Sequence, residues 1–93
     1  MQRTGVFYDF EAKYPTADVH ELEGNGRVCE IRIGMLYDIV EEVFVGMYLE
    51  DGSCRFEERI QEPALRAAAG SIRVFPETAL AIAKERVGGW LDK

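Results

Sequence analysis

Glu58 is the carboxylate whose placement matters most in this chain. If Asp51-Gly52 closes a two-residue hairpin, Glu58 falls on the apolar side of its strand, between Phe56 and Ile60 and opposite Val45. A carboxylate held there loses water, its pKa rises, and it becomes able to move a proton or anchor a ligand. Tyr8, in an aromatic stretch near the N-terminus, is the second polar anchor that a ligand site would use. The opposite side of the same hairpin sets Phe44, Gly46 and Tyr48 against Arg59, Glu57 and Arg55. Tyr48–Arg55 and Phe44–Arg59 then form cation–π rungs, each contributing ~0.5–1 kcal/mol where exposed. Tyrosine and arginine are enriched at binding hot spots. Phe44, Tyr48, Arg55, Glu57 and Arg59 are therefore the expected partner-binding residues.

The other chemistry-bearing residues lack their companions. His20 lies in Val-His-Glu-Leu-Glu, but the Pro-Cys-x-x-Cys that completes a zinc deaminase site is missing, as is His-Glu-x-x-His. A histidine on the solvent side of an edge strand is the expectation, with no metal and no cofactor. Residues 6–10 (VFYDF) are followed by Glu11, where a phosphoryl-accepting Asp-x-Asp-x-Thr would need its second aspartate and then threonine. Gly24-Asn25-Gly26 has neither the further glycine nor the lysine-serine pair of a phosphate loop, so it reads as a turn. Glu41-Glu42 and Glu57-Glu58 resemble glycosidase dyads only in composition. Neighbouring strand residues point to opposite faces, so neither pair can flank a bond.

The elements that must position these residues follow from patterning. Ninety-three residues make one small domain, spanning 1–93. Residues 5–11 (GVFYDFE) alternate, with Val6, Tyr8 and Phe10 on one side, and predict a strand. Residues 19–23 predict a short strand, and Gly24-Asn25-Gly26 turns the chain into residues 27–35. There Cys29, Ile31, Ile33 and Met35 share an apolar face, while Val28, Glu30, Arg32 and Gly34 share the other. From about Val40 the chain is again extended. The Asp51-Gly52 register puts Leu49 opposite Cys54, Tyr48 opposite Arg55, Met47 opposite Phe56 and Val43 opposite Ile60. Pro63 opens a short helix that Gly70 closes; residues 71–75 predict a strand; Pro76 opens a second helix ending near Gly88-Gly89. Leu80, Ala83, Val87 and Leu91 form its apolar stripe, with Ile82 and Trp90 beside it. The predicted order is β-β-β-β-β-α-β-α. The fold class is α+β: a curved antiparallel sheet of four to six strands, one face covered by a C-terminal helix, with a second short helix.

Composition limits the function. The net charge is −6, and it is uneven: residues 1–62 hold fourteen acidic and six basic side chains, residues 63–93 three and five. Phosphate repels such a chain at long range, which disfavours nucleic acid as a partner. The longest run without a charged residue, 43–49, is seven residues, against the ~20 that a membrane helix needs. Asp9 and Glu11 interrupt any secretory pattern, and Cys29 and Cys54 are too few for a disulfide scaffold, so the expected location is cytoplasmic. Together these point to a non-enzymatic protein-interaction module of the antitoxin, inhibitor, immunity or adaptor type, using an acidic sheet region to bind another protein or a second copy of itself. The alternative is a small-molecule-binding domain, dimeric, with an apolar pocket between sheet and helix anchored by Glu58 or Tyr8.

Overall fold

Four antiparallel strands form a simple meander in the computed structural model, which describes residues 1–92. The order along the chain is α1 (Gly5–Lys13), β1 (Asp18–Gly24), β2 (Arg27–Leu36), β3 (Ile39–Leu49), β4 (Cys54–Ile60), α2 (Ala64–Ala69) and α3 (Pro76–Val87), then a 3₁₀ turn, Trp90–Asp92. The sheet is open, with β1 and β4 at its edges. This is the α+β class, with the C-terminal helix α3 on one face.

Local chemistry explains the hairpins. Asn25 and Gly26 have φ of 54° and 72°, the two left-handed residues that a tight turn matched to strand twist requires. Gly24 and Arg27 pair directly beside them. Between β3 and β4 the expected register holds over Met47↔Phe56, Gly46↔Glu57, Val45↔Glu58, Phe44↔Arg59 and Val43↔Ile60. Nearer the turn it shifts. Tyr48 pairs with Cys54, and Arg55 is the extra residue of a β-bulge, so the expected Tyr48–Arg55 and Leu49–Cys54 pairs do not form.

The main core lies between the sheet and α3. Cys29, Ile31 and Ile33 of β2, Val43 and Val45 of β3, and Ile60 of β4 meet Leu65 of α2 and Ala79, Ala83 and Val87 of α3. Small residues at Ala79 and Ala83 let the helix approach the sheet closely. Pro76 occupies the first turn, Glu77 favours its positive dipole end, and Gly88 closes the helix at φ 53°.

Two expectations about elements are overturned. Residues 71–75 are a loop rather than a strand; Val74 contributes one strand-like contact, accepting a hydrogen bond from the Val40 N–H at 2.8 Å. Residues 5–11, expected as a strand, belong to helix α1. Thr4 caps it, its hydroxyl accepting from the Val6 N–H at 3.3 Å. Phe7, Phe10 and Tyr14 then recur at spacings of three and four, forming one buried helical stripe. α1 lies across the sheet face opposite α3, with Phe44 of β3 beneath it. Phe7 meets Phe44 edge-on at 5.5 Å, and Phe10 lies 5.7 Å from the same ring. Both faces of the sheet are therefore covered.

Two glycines make this second layer possible. The Tyr14 ring lies on Gly34, and the Tyr48 ring folds back over Gly46 on its own strand; a Cβ on Gly46 would stand 2.6 Å from the Tyr48 Oη and 2.7 Å from its Cε2. Gly46→Ala is expected to displace the Tyr48 ring and destabilise the protein by about 2 kcal/mol, within the range for overpacking. A urea-unfolding midpoint that does not fall would contradict this close approach.

Candidate functional site

Beneath α1 the structure assembles a polar cluster around two buried carboxylates. Alternation along β2 puts Glu30 and Arg32 on the α1 face, and the segment leading into α1 brings Arg3 over them. The Arg3 guanidinium grips Glu30 with both ends, Nη1 to Oε1 at 3.0 Å and Nη2 to Oε2 at 2.7 Å, while Arg32 Nε donates to Oε1. Arg3 also donates to the Tyr48 hydroxyl at 2.8 Å and stacks on Phe7, 4.0 Å from the ring centre. Tyr48 in turn donates to Glu57, which accepts from the Thr4 N–H at 2.9 Å and from the Thr4 hydroxyl. At the other end of α1, Glu42 accepts from Lys13 at 2.9 Å, from Gln61 at 3.2 Å and from Arg59, whose Nη2 is 2.6 Å away. α1 is thus clasped at both ends by charge-assisted hydrogen bonds, with aromatic rings between them.

The electrostatics fit a closed structural network. Burial alone would raise the pKa of Glu30, but the Arg3 and Arg32 hydrogen bonds outweigh it and hold the carboxyl below its ordinary 4.5. Burial likewise opposes the Glu42 charge, and Lys13, Arg59 and Gln61 overcome it in the same direction. The Tyr48 hydroxyl is pushed well above its usual range, first by burial and then by its bond to Glu57. Every buried side-chain nitrogen and oxygen among the described residues has a partner. The cluster's donors and acceptors are engaged in holding the N-terminal segment to the sheet.

This arrangement revises the expected partner-binding surface. Phe44 and Tyr48 are fully buried under α1, so they present no exposed aromatic face. The cation over Tyr48 is Arg3, at 5.0 Å, and Arg59 is turned to Glu42, so neither expected cation–π rung is present. Glu57 is held by Tyr48 and Thr4, and Arg55 stands exposed on the bulge. The candidate ligand anchors do not converge either. Glu58 has the expected place opposite Val45, but at the sheet margin it meets Arg86 of α3 at 3.1 Å. Tyr8 is exposed on α1, on the other side of the sheet. His20 of β1 pairs with Ile31 of β2 and is half-buried on the α3 side rather than on the solvent side expected of it, and no cluster of metal-ligating side chains occurs among the described residues. Cys29 and Cys54 are free: Cys29 pairs with Met47 and Cys54 with Tyr48, adjacent residues that face opposite sides of the sheet.

Two exposed features remain. At the end of the sheet where β2 turns into β3, Leu36 and Tyr37 are 55% and 91% exposed. Tyr37 also has φ of 59°, a left-handed conformation unusual for an aromatic residue. The Val40–Val74 hydrogen bond holds the 71–75 loop to this same end, where Ile72 and Phe75 are 77% and 52% exposed. Along one margin runs β1, whose Asp18, Glu21 and Glu23 are exposed and take part in none of the salt bridges among the described residues. Sequence reasoning expected an acidic sheet region without placing it on β1, and missed the apolar end, because isolated apolar residues in loops and at a strand end have no periodic signature.

Comparison with known proteins finds no matching family model, no matching curated protein and no matching solved structure. No helix of the described residues is long and apolar enough to cross a membrane.

Proposed function

We propose that the chain is a non-enzymatic protein-interaction module of the antitoxin, inhibitor, immunity or adaptor type. It docks through the apolar end of the sheet and the acidic β1 margin beside it. The observation that carries this reading is the group of four large apolar side chains, Leu36, Tyr37, Ile72 and Phe75, held in water at one end of the sheet. Single exposed apolar residues are ordinary, but several on loops fixed to the same end are the usual mark of an interaction surface. The left-handed Tyr37 supports the reading, since strained residues persist at recognition sites when the surrounding structure enforces them. Asp18, which opens β1 opposite Ile33, brings the acidic margin to this same end and supplies charge for steering a basic partner.

The test is a paired capture experiment with Tyr37→Ser/Ile72→Ser, whose exposed positions leave the core intact. Tagged wild-type protein is expected to retain a stoichiometric partner from host lysate, or to self-associate in light scattering, and the double variant to lose that association. Equal capture and equal mass for the two proteins would refute docking at this end.

A further inference from the structure

We propose that β1 is a strand-addition site, and that its occupant is an extended segment of another protein carrying lysine or arginine at alternate positions. The proposal deepens the acidic-margin part of the reading above and rests on it for the existence of a protein partner.

The two edges of the sheet differ. β4 carries the bulge beside Tyr48, and the chain's own N-terminal segment runs past it: the Gln2 N–H donates to the Gly52 carbonyl at 2.8 Å, and Thr4 binds Glu57. Bulges and covering segments are the ordinary devices that close an edge to further pairing. β1 has neither. Its seven residues pair with β2 in unbroken register, from Asp18↔Ile33 to Gly24↔Arg27. Among the described residues, no backbone–backbone hydrogen bond outside that pairing engages residues 18–24. The outward N–H and C=O groups of β1 are thus available to an added strand, which would gain main-chain hydrogen bonds along it.

Charge decides the occupant. Asp18, Glu21 and Glu23 stand along this edge with no lysine or arginine among residues 18–24. A second copy pairing there would bring acid against acid, which is destabilising across strands. The same acids match a basic strand, so one feature both excludes self-pairing and selects the partner. Glu21 faces Glu30 across the β1–β2 pair, but Glu30 is already neutralised by Arg3 and Arg32. That leaves Glu21 to answer a cation from outside. Register then dictates the partner's pattern. Glu21 and Glu23 lie with Val19, 49% exposed, on the α1 side of the sheet. His20 and Leu22, half-buried, lie on the α3 side opposite Ile31 and Cys29. Asp18, exposed at the start of the strand, shares that side opposite Ile33. The added strand therefore needs basic residues on its α1 side, against Glu21 and Glu23, and apolar residues on its α3 side, against His20 and Leu22, alternating one by one.

The test uses the full chain, isotopically labelled, titrated with an acetylated and amidated Lys-Val-Lys-Val-Lys peptide while backbone amide shifts and exchange rates are followed. The expected result is slowed amide exchange and shifted resonances confined to residues 18–24. Affinity is expected to fall about tenfold in Glu21→Gln/Glu23→Gln, two surface changes that leave the fold intact. A peptide N-methylated at alternate amides, on the edge that faces β1, is expected not to bind. Equal binding of the methylated peptide would overturn strand addition while leaving acidic docking in place. Shifts centred on β4, or no binding by the unmodified peptide at millimolar concentration, would overturn the proposal outright. The Tyr37/Ile72 experiment is unaffected by any of these results.

Discussion

Glu30→Gln is expected to cost about 3 kcal/mol of stability, the largest effect of any single polar substitution in this molecule. Glu30 is almost fully buried and accepts three hydrogen bonds from two guanidinium groups. Its neutral isostere keeps the shape but leaves Arg3 and Arg32 facing each other without the charge between them. Breaking a buried pair from one side costs about 3–5 kcal/mol. The lower end applies because Arg3 and Arg32 retain some access to water, at 15% and 19% side-chain exposure. The pH dependence has a definite sign. The folded-state pKa of Glu30 lies below the ordinary 4.5, so its contribution is fully present above that value. It is lost as pH falls through the depressed folded-state pKa, because the unfolded chain then binds the proton more readily. Glu42 acts in the same direction. Urea titrations at pH 7 and pH 3 check both points: wild type loses stability between them, and Glu30→Gln loses less. Identical pH slopes for the two proteins would contradict the role given to Glu30.

Phe10→Ala is expected to cost about 3–5 kcal/mol, as truncation of a buried phenylalanine does. Phe10 is fully buried, 5.0 Å from the Tyr14 ring and 5.7 Å from the Phe44 ring. It is the central residue of the α1 stripe, so the cavity would open in the middle of the second layer. The main core beneath α3 shares no residue with this cluster. The expected signature is therefore loss of the near-ultraviolet circular dichroism of the aromatic cluster at a lower urea concentration than loss of the far-ultraviolet sheet signal. A variant that unfolds in one coincident transition at the wild-type midpoint would show that α1 contributes little.

The sheet was largely legible in the residues, and the second layer was not. Alternation in β2, the Gly24-Asn25-Gly26 turn, the pairing from Val43↔Ile60 to Met47↔Phe56, and the proline and glycine limits of α2 and α3 all follow from short-range rules. Residues 5–14 defeat those rules because two periods coexist there. Val6, Tyr8 and Phe10 alternate like a strand, while Phe7, Phe10 and Tyr14 recur like a helix. Thr4, a helix-capping residue immediately before the stretch, was the signal that distinguishes them. That one misassignment turned the α1 face into an apparent open surface and made Phe44 and Tyr48 look like contact residues. The bulge at Arg55 left no mark in composition, since it answers to the geometry of the turn. Val74 bonds β3 like a strand residue, but one hydrogen bond does not make a strand.

The clasp of α1 also sets an order of events during synthesis. Arg3 meets Tyr48 across 45 residues, and Thr4 meets Glu57 across 53. At roughly 5–20 residues per second, a ribosome releases the helix segment seconds before its seat on β3 and β4 exists. Nine residues are too few to hold a helix alone in water, where ~12–15 are marginal even for favourable sequences. The segment that emerges earlier must therefore wait for the later strands, exposing Phe7 and Phe10 to chaperones in the interval.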